Sequence, residues 1–124
     1  MPSSLKRVYF DDYVFSVDEN VYEPAEDSFL LAENLVVKAG ERVLDMGTGC
    51  GILAILASRK ARQVVAVDVN PYAVRCAKYN SEINHVQSKI TIVQGDLFTW
   101  LSEKAKFDLI LFNAPYLPDT DDTQ

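Results

Sequence analysis

The chain predicts an α/β fold, a parallel sheet in the order 3-2-1-4 with helices packed on its faces. Apolar runs at Val43-Leu44, Val64-Val65-Ala66-Val67, Ile90-Thr91-Ile92-Val93 and Phe107 to Phe112 alternate with helical patterns. That is the rhythm of parallel strands joined by right-handed crossovers. The second run is apolar at every position, as a strand covered on both faces requires. Each run also leads into a polar residue, Asp45, Asp68, Asp96 and Asn113 in turn. All four then fall at carboxyl strand ends, where open α/β sheets bind ligands at the point of winding reversal, here between strands 1 and 4.

Composition bounds the function. At 124 residues the chain is expected to be one domain, large enough for a core but small for a complete doubly wound enzyme. Apolar residues make up 48% of it and no window reaches membrane-span length, so a soluble chain is expected. The opening Met-Pro-Ser-Ser-Leu-Lys-Arg has no long apolar core, which argues against a signal peptide and for the cytoplasm. Cys50 and Cys76 have neither disulfide nor metal spacing, so reduced thiols and no metal site are expected. The formal charge of −6 argues against recognition of nucleic acid through its phosphates. Only Lys6-Arg7 and Arg59, Lys60 and Arg62 form local basic patches.

In chain order, Arg7 to Phe10 and Tyr13 to Val17 are β-rich around Asp11-Asp12 and predict a hairpin ahead of the main domain, residues 1–20. Val21-Tyr22-Glu23-Pro24-Ala25-Glu26-Asp27-Ser28 reads as a helix entry, with proline in the first turn and acids favoured by the helix dipole. This helix is expected to run to about Val37, to bury Phe29, Leu30 and Leu35, and to stop before Gly40. From residue 21 to 124 the chain reads as the core domain.

Within it, Arg42-Val-Leu-Asp-Met-Gly-Thr-Gly-Cys-Gly51 is strand, tight turn and helix start. Gly47, Gly49 and Gly51 permit positive φ and close approach of a ligand, and amides opening the next helix favour electron-rich groups. A nucleotide-like cofactor is implied, and the stretch from Gly49 also satisfies the dinucleotide pattern. The helix from Gly51 to about Arg59 leads to the second strand. Asp68, 23 positions beyond Asp45, is placed to accept both hydroxyls of a ribose. The capping role there belongs to Asn70, followed by Pro71. The helix from Pro71 to about Ile83 is expected to bury Val74, Ala77 and Ile83, with His85 exposed in the following loop. After the third strand, Asp96 either faces an adenine amino group or caps the short helix containing Trp100, which is assigned to packing.

Three segments resemble the class I S-adenosylmethionine-dependent methyltransferases. More narrowly, they resemble the HemK/PrmC group that methylates a glutamine side-chain amide in translation release factors. The segments are Val21 to Leu31 with its Tyr-Glu-Pro-Ala-Glu-Asp-Ser run, Asp45 to Gly51, and Asn113-Ala114-Pro115-Tyr116. The first of these looks most like the archaeal and eukaryotic branch. The resemblance implies a Rossmann-like core with S-adenosylmethionine as cofactor. It puts Ser28 and the glycine turn near the methionine part, Asp45 on its amino group, Asp68 on the ribose, and Asp96 with the Leu97 backbone on the adenine.

The transfer chemistry fits these residue types. An amide nitrogen has a delocalised lone pair, so two acceptors on its two N–H bonds would turn that pair toward the methyl group. The Asn113 side-chain oxygen and the Ala114 carbonyl can supply them, Pro115 stiffens the turn without adding a donor, and the Tyr116 ring can stack on the planar group. Ala114 departs from the group's usual proline and relaxes the restriction on Asn113. The group's sheet has seven strands, whereas this chain stops after the fourth. The fourth strand is therefore expected to present an apolar edge, Leu109 to Phe112, which either associates with another chain or copy or belongs to a fragment of a longer enzyme. The resemblance also implies a small zinc-binding activator protein beside the third strand. Three other readings remain: methylation of adenine or another amine, an oxidoreductase's dinucleotide domain, and a truncated cofactor-binding module without catalysis.

Overall fold

The structure is a computed structural model that describes residues 6–21 and 26–112, with the backbone alone at 26 and 27. The Tyr22 to Ala25 run and the Asn113-Ala114-Pro115-Tyr116 tetrapeptide lie outside the described residues. Strands β1 (Lys6–Phe10) and β2 (Tyr13–Val17) form an antiparallel hairpin in which Lys6 faces Val17 and Phe10 faces Tyr13. Asp11 takes φ 51 in the connection, the left-handed conformation that a two-residue turn requires and a short polar side chain tolerates.

The main sheet contains β3 (Arg42–Met46), β4 (Gln63–Asp68), β5 (Ile90–Gln94) and β6 (Leu109–Phe112). Its order is β5-β4-β3-β6, with every pair parallel. In the numbering of the sequence reading this is 3-2-1-4, as expected. Helices α1 (Glu26–Glu33), α2 (Ile52–Ala57), α3 (Pro71–Ile83) and α4 (Leu97–Leu101) fall between the strands or ahead of them. None of the described helices is long and apolar enough to cross a membrane.

Alternation along the strands sorts their side chains onto two faces. Val43, Val64 and Ala66 join Ile52, Leu53, Ile55 and Leu56 of α2, Ala73 and Cys76 of α3, and Phe15 and Val17 of the hairpin in one core cluster. Leu44, Met46, Val65 and Val67 point the other way, against Leu97, Trp100, Phe107 and Ile110. Every residue of α2 is buried. A helix of one and a half turns has little stability alone, but each large apolar side chain it buries contributes roughly 1.5–3 kcal/mol. The opposite alternation places Asp45 on the α2 side of β3.

The hairpin docks through side-chain amides. On α3, Asn80 Oδ1 accepts from the Ser16 N–H at 2.8 Å and its Nδ2 donates to the Ser16 carbonyl at 2.8 Å. One turn on, Asn84 Oδ1 accepts from the Val14 N–H at 3.2 Å and its Nδ2 donates to the Val14 carbonyl at 2.8 Å. The helical rise of four residues, about 6 Å, matches the rise of two residues along β2, about 6.8 Å. Two asparagines thereby occupy the hydrogen-bonding edge of β2 as a neighbouring strand would.

Four sequence expectations require correction. Helix α1 ends at Glu33, short of Val37. There Asn34 sends Nδ2 to the Leu30 carbonyl at 2.8 Å, a side-chain bond of the kind that competes with helix propagation. Leu30 is 60% exposed, because α1 turns Ser28 and Ala32 inward instead. Ile83 is only half-buried and the inward row of α3 runs through Ala73, Cys76, Ala77 and Asn80. Helix α2 closes at Ala57, where Ser58 Oγ donates to the Ile55 carbonyl at 2.6 Å. The His85 expectation holds, exposed at φ 60.

Candidate cofactor site

The three turn glycines all take positive φ, 78° at Gly47, 58° at Gly49 and 90° at Gly51, yet they do different things. A Cβ on Gly51 would lie 3.1 Å from the Ala77 Cβ, so this glycine lets α2 pack close to α3. A Cβ on Gly49 would meet nothing within 4 Å among the described residues. Among them Gly49 borders open space, where a bare backbone allows a ligand to approach. The turn hangs from the end of β4: the N–H groups of Gly47 and Thr48 donate to the Val67 carbonyl at 2.8 and 3.1 Å.

Asp45 is fully buried. Its Oδ2 accepts from the Thr48 hydroxyl at 2.7 Å, whereas Oδ1 has no hydrogen-bond partner among the described residues. Burial pushes its carboxyl up from 3.8 to about 6, against the Thr48 hydrogen bond and the Ala54 amide and helped by the Asp68 charge. A buried carboxylate with a spare oxygen is unfavourable by itself and suited to a cation or an N–H donor. Thr48 is the residue that sequence reasoning missed; its place three residues after the acid, inside the turn, was the available signal.

Asp68 ends β4 and points to the same side. Its Oδ2 accepts from the Gly49 N–H at 2.9 Å and its Oδ1 from the Asn70 N–H at 3.0 Å. It thus clamps the glycine turn to the strand, and contact with a ribose would use the lone pair left on each oxygen. Asn70 Oδ1 accepts from the Tyr72 N–H at 2.9 Å, which makes Asn70 the cap of α3 as expected. At the end of β5 the Gly95 N–H donates to the Asp68 carbonyl at 3.0 Å. Asp96 caps α4 by accepting from the Phe98 N–H at 2.8 Å, with Leu97 half-buried behind it. Trp100 packs on the α4 face of the sheet as expected.

The structure therefore brings Asp45, Asp68, Asp96 and the three glycines to one rim. Ser28 is buried on α1. Phe112, the last described residue, pairs with Met46, directly before Gly47. A separate open groove of about 740 Å³ between the hairpin, α1 and α2 is lined by Tyr9, Phe10, Val36 and Arg59. It touches none of the rim residues. Cys50 and Cys76 are buried free thiols, and burial pushes Cys50 up to about 12, the environment of a structural rather than a reactive thiol.

The model of the ribosomal protein L11 methyltransferase (PrmA) family matches residues 28–114, the stretch that contains the whole described rim. The chain belongs to this methyltransferase family. It is 48% identical over 103 residues to a "Putative protein N5-glutamine methyltransferase" of Methanocaldococcus jannaschii, covering 82% of this chain and 50% of that protein. It is 34% identical over 119 residues to a release factor glutamine methyltransferase of Rhodopirellula baltica, covering 85% and 39%. These similarities bear out the resemblance to the HemK/PrmC group. The chain spans half or less of both relatives. Among solved structures, it is similar to the M. jannaschii tRNA m1G37 methyltransferase, with a TM-score of 0.70, 27% identity, and coverage of 76% of this chain and 31% of that one. The Rossmann-like methyltransferase fold is thus common to all of them.

Proposed function

We propose that this methyltransferase-family chain binds S-adenosylmethionine and serves transfer of a methyl group to a glutamine side-chain amide of a translation release factor. The observation that carries the cofactor is Asp45, a buried acid with one oxygen unpartnered among the described residues, in the same turn as Gly49, whose Cβ side no described residue fills. That pair suits a ligand with a cationic amino group and a body that passes against bare backbone. Asp45 Oδ1 would hold the amino group, with Ser28 nearby; Asp68 would take the ribose hydroxyls, and Asp96 with the Leu97 N–H the adenine. When bound, the cofactor supplies an electrophilic methyl group on sulfur. The names of the relatives at 48% and 34% identity support glutamine as acceptor.

On the acceptor side, the Asn113 oxygen and the Ala114 carbonyl would take the two N–H bonds of the amide and leave its lone pair facing the donor. Pro115 adds no competing donor and Tyr116 gives the amide plane a stacking surface. Transfer would break the sulfur–methyl bond and leave the neutral thioether, and the N-methylated amide cation would be acidic enough to lose one N–H proton to water without a dedicated general base. The sheet edges suit protein partners. β5 and β6 each have one neighbour among the described strands, and Phe112 is 56% exposed on β6. A small zinc-binding activator beside β5 and a second copy or another chain beside β6 are the proposed occupants.

Mass spectrometry of release factors incubated with the chain and S-adenosylmethionine tests the acceptor. One added methyl on a glutamine, absent with Asn113→Ala, is expected. Cofactor binding without transfer to any release factor would overturn the acceptor assignment, and tight binding of NAD alone would overturn the cofactor.

A further inference from the structure

Asn80 is a fully buried polar side chain in the last turn of α3, where the inward row before it, Ala73, Cys76 and Ala77, is small and apolar. Its contacts reach two parts of the fold at once. Besides the paired bonds to Ser16 of the hairpin, its Nδ2 donates to the Cys50 carbonyl at 2.8 Å. Cys50 lies between Gly49, whose amide Asp68 holds, and Gly51, against which Ala77 packs. The Ser16 carbonyl in turn also accepts from the Cys76 thiol at 3.0 Å. Both Asn80 N–H bonds and its oxygen are thereby used in the interior, where a lost partner strands a buried carbonyl.

We propose that Asn80 is a positioning residue for the cofactor turn: it fixes the Cys50 carbonyl and so sets the direction in which the open face of Gly49 points. This rests on the cofactor reading above. A turn of three glycines has little stiffness of its own, and its orientation must come from outside. Asp68 holds its amide side and Asn80 its carbonyl side. Because Asn80 also carries Ser16, the docked hairpin is rigidly connected to the turn.

Asn84 provides an internal control. It makes the same two-bond clamp on β2, at Val14, with its remaining bond to the Asn80 carbonyl, so its side-chain bonds among the described residues go to β2 and α3 and not to the turn. The experiment compares Asn80→Ala with Asn84→Ala in the full chain. Calorimetry with S-adenosylhomocysteine reads affinity, and hydrogen exchange without ligand reads the amides of residues 49–52. Both variants are expected to melt at lower temperature. Only Asn80→Ala is expected to speed exchange in the turn and to weaken binding by about tenfold or more, the scale of a catalytic-site group displaced by a fraction of an ångström. Equal effects of the two variants on turn exchange and affinity would reduce Asn80 to a hairpin clamp and overturn the proposal. The isosteric Asn80→Asp keeps the acceptor for the Ser16 N–H but loses the donors to both the Ser16 and the Cys50 carbonyls, so should Asn80→Ala not fold, the wild-type chain carries the test. In the wild-type chain, the Asn80 side-chain amide protons must exchange slowly and shift on ligand addition whereas those of Asn84 do not shift; failure of either also overturns it. Absence of any ligand binding by the wild-type chain, with turn exchange still dependent on Asn80, would instead defeat the cofactor reading alone.

Discussion

Thr48 Oγ donates to Asp45 Oδ2 at 2.7 Å and leaves Oδ1 of the same buried carboxylate without a partner among the described residues. One short hydrogen bond thus orients an acid and keeps half of it available. The arrangement is costly in the free chain and useful once a donor arrives, so stability and binding should respond to it in opposite directions.

Asp45→Asn is expected to stabilise the ligand-free chain at neutral pH. Burial raises the carboxyl from 3.8 to about 6, so the folded state holds its proton more tightly than the unfolded state. Stability from this group is full below pH 4 and is lost as pH rises through about 6. The shift corresponds to on the order of 2–3 kcal/mol. Melting curves should show the variant gaining over wild type between pH 4 and 6 and holding that gain above 6. A gain that is flat across pH 3 to 8 would contradict the assignment.

Binding of S-adenosylhomocysteine should follow the same group with the reverse sign. The ammonium of the ligand needs the ionised carboxylate, so affinity should fall by about tenfold per pH unit below 6. In Asp45→Asn the affinity should be low and nearly independent of pH. Calorimetry between pH 5 and 8 on both proteins measures this directly.

Alanine at the two glycines should separate packing from ligand approach. At Gly51, φ 90 and the 3.1 Å approach to Ala77 act together, and roughly 2–4 kcal/mol of stability should be lost. At Gly49 the added Cβ meets none of the described residues, so the strain of φ 58 should cost only about 1–2 kcal/mol. The ligand, by contrast, should be rejected more strongly by Gly49→Ala. Equal affinities for wild type and Gly49→Ala in calorimetry would remove Gly49 from the binding surface.

Asp96 can be divided into its two roles. Asp96→Ala should cost about 1 kcal/mol through loss of the α4 cap. Asp96→Asn keeps an oxygen for the Phe98 N–H and should preserve the melting temperature. If the second carboxylate oxygen accepts from an adenine amino group, Asp96→Asn should nevertheless weaken cofactor affinity. Unchanged affinity in that variant would leave capping as the whole function of this residue.

Sheet order, the glycine turn and the gathering of Asp45, Asp68 and Asp96 at one rim were legible in the sequence. They follow from local periodicity, the handedness of crossovers and the rule that strand ends carry sites. Helix boundaries were less legible: the side chain of Asn34 cuts α1 short, and Leu30 then faces solvent. What the tertiary structure alone decided is how each rim residue spends its hydrogen bonds. Asp45 keeps one oxygen unpartnered among the described residues, Asp68 divides its two between Gly49 and Asn70, and Asn80 ties the hairpin to Cys50. Spacing along a chain places a side chain on a face or at an end, but its partners come from segments tens of residues away. Only their packing determines which polar atoms remain to meet a ligand.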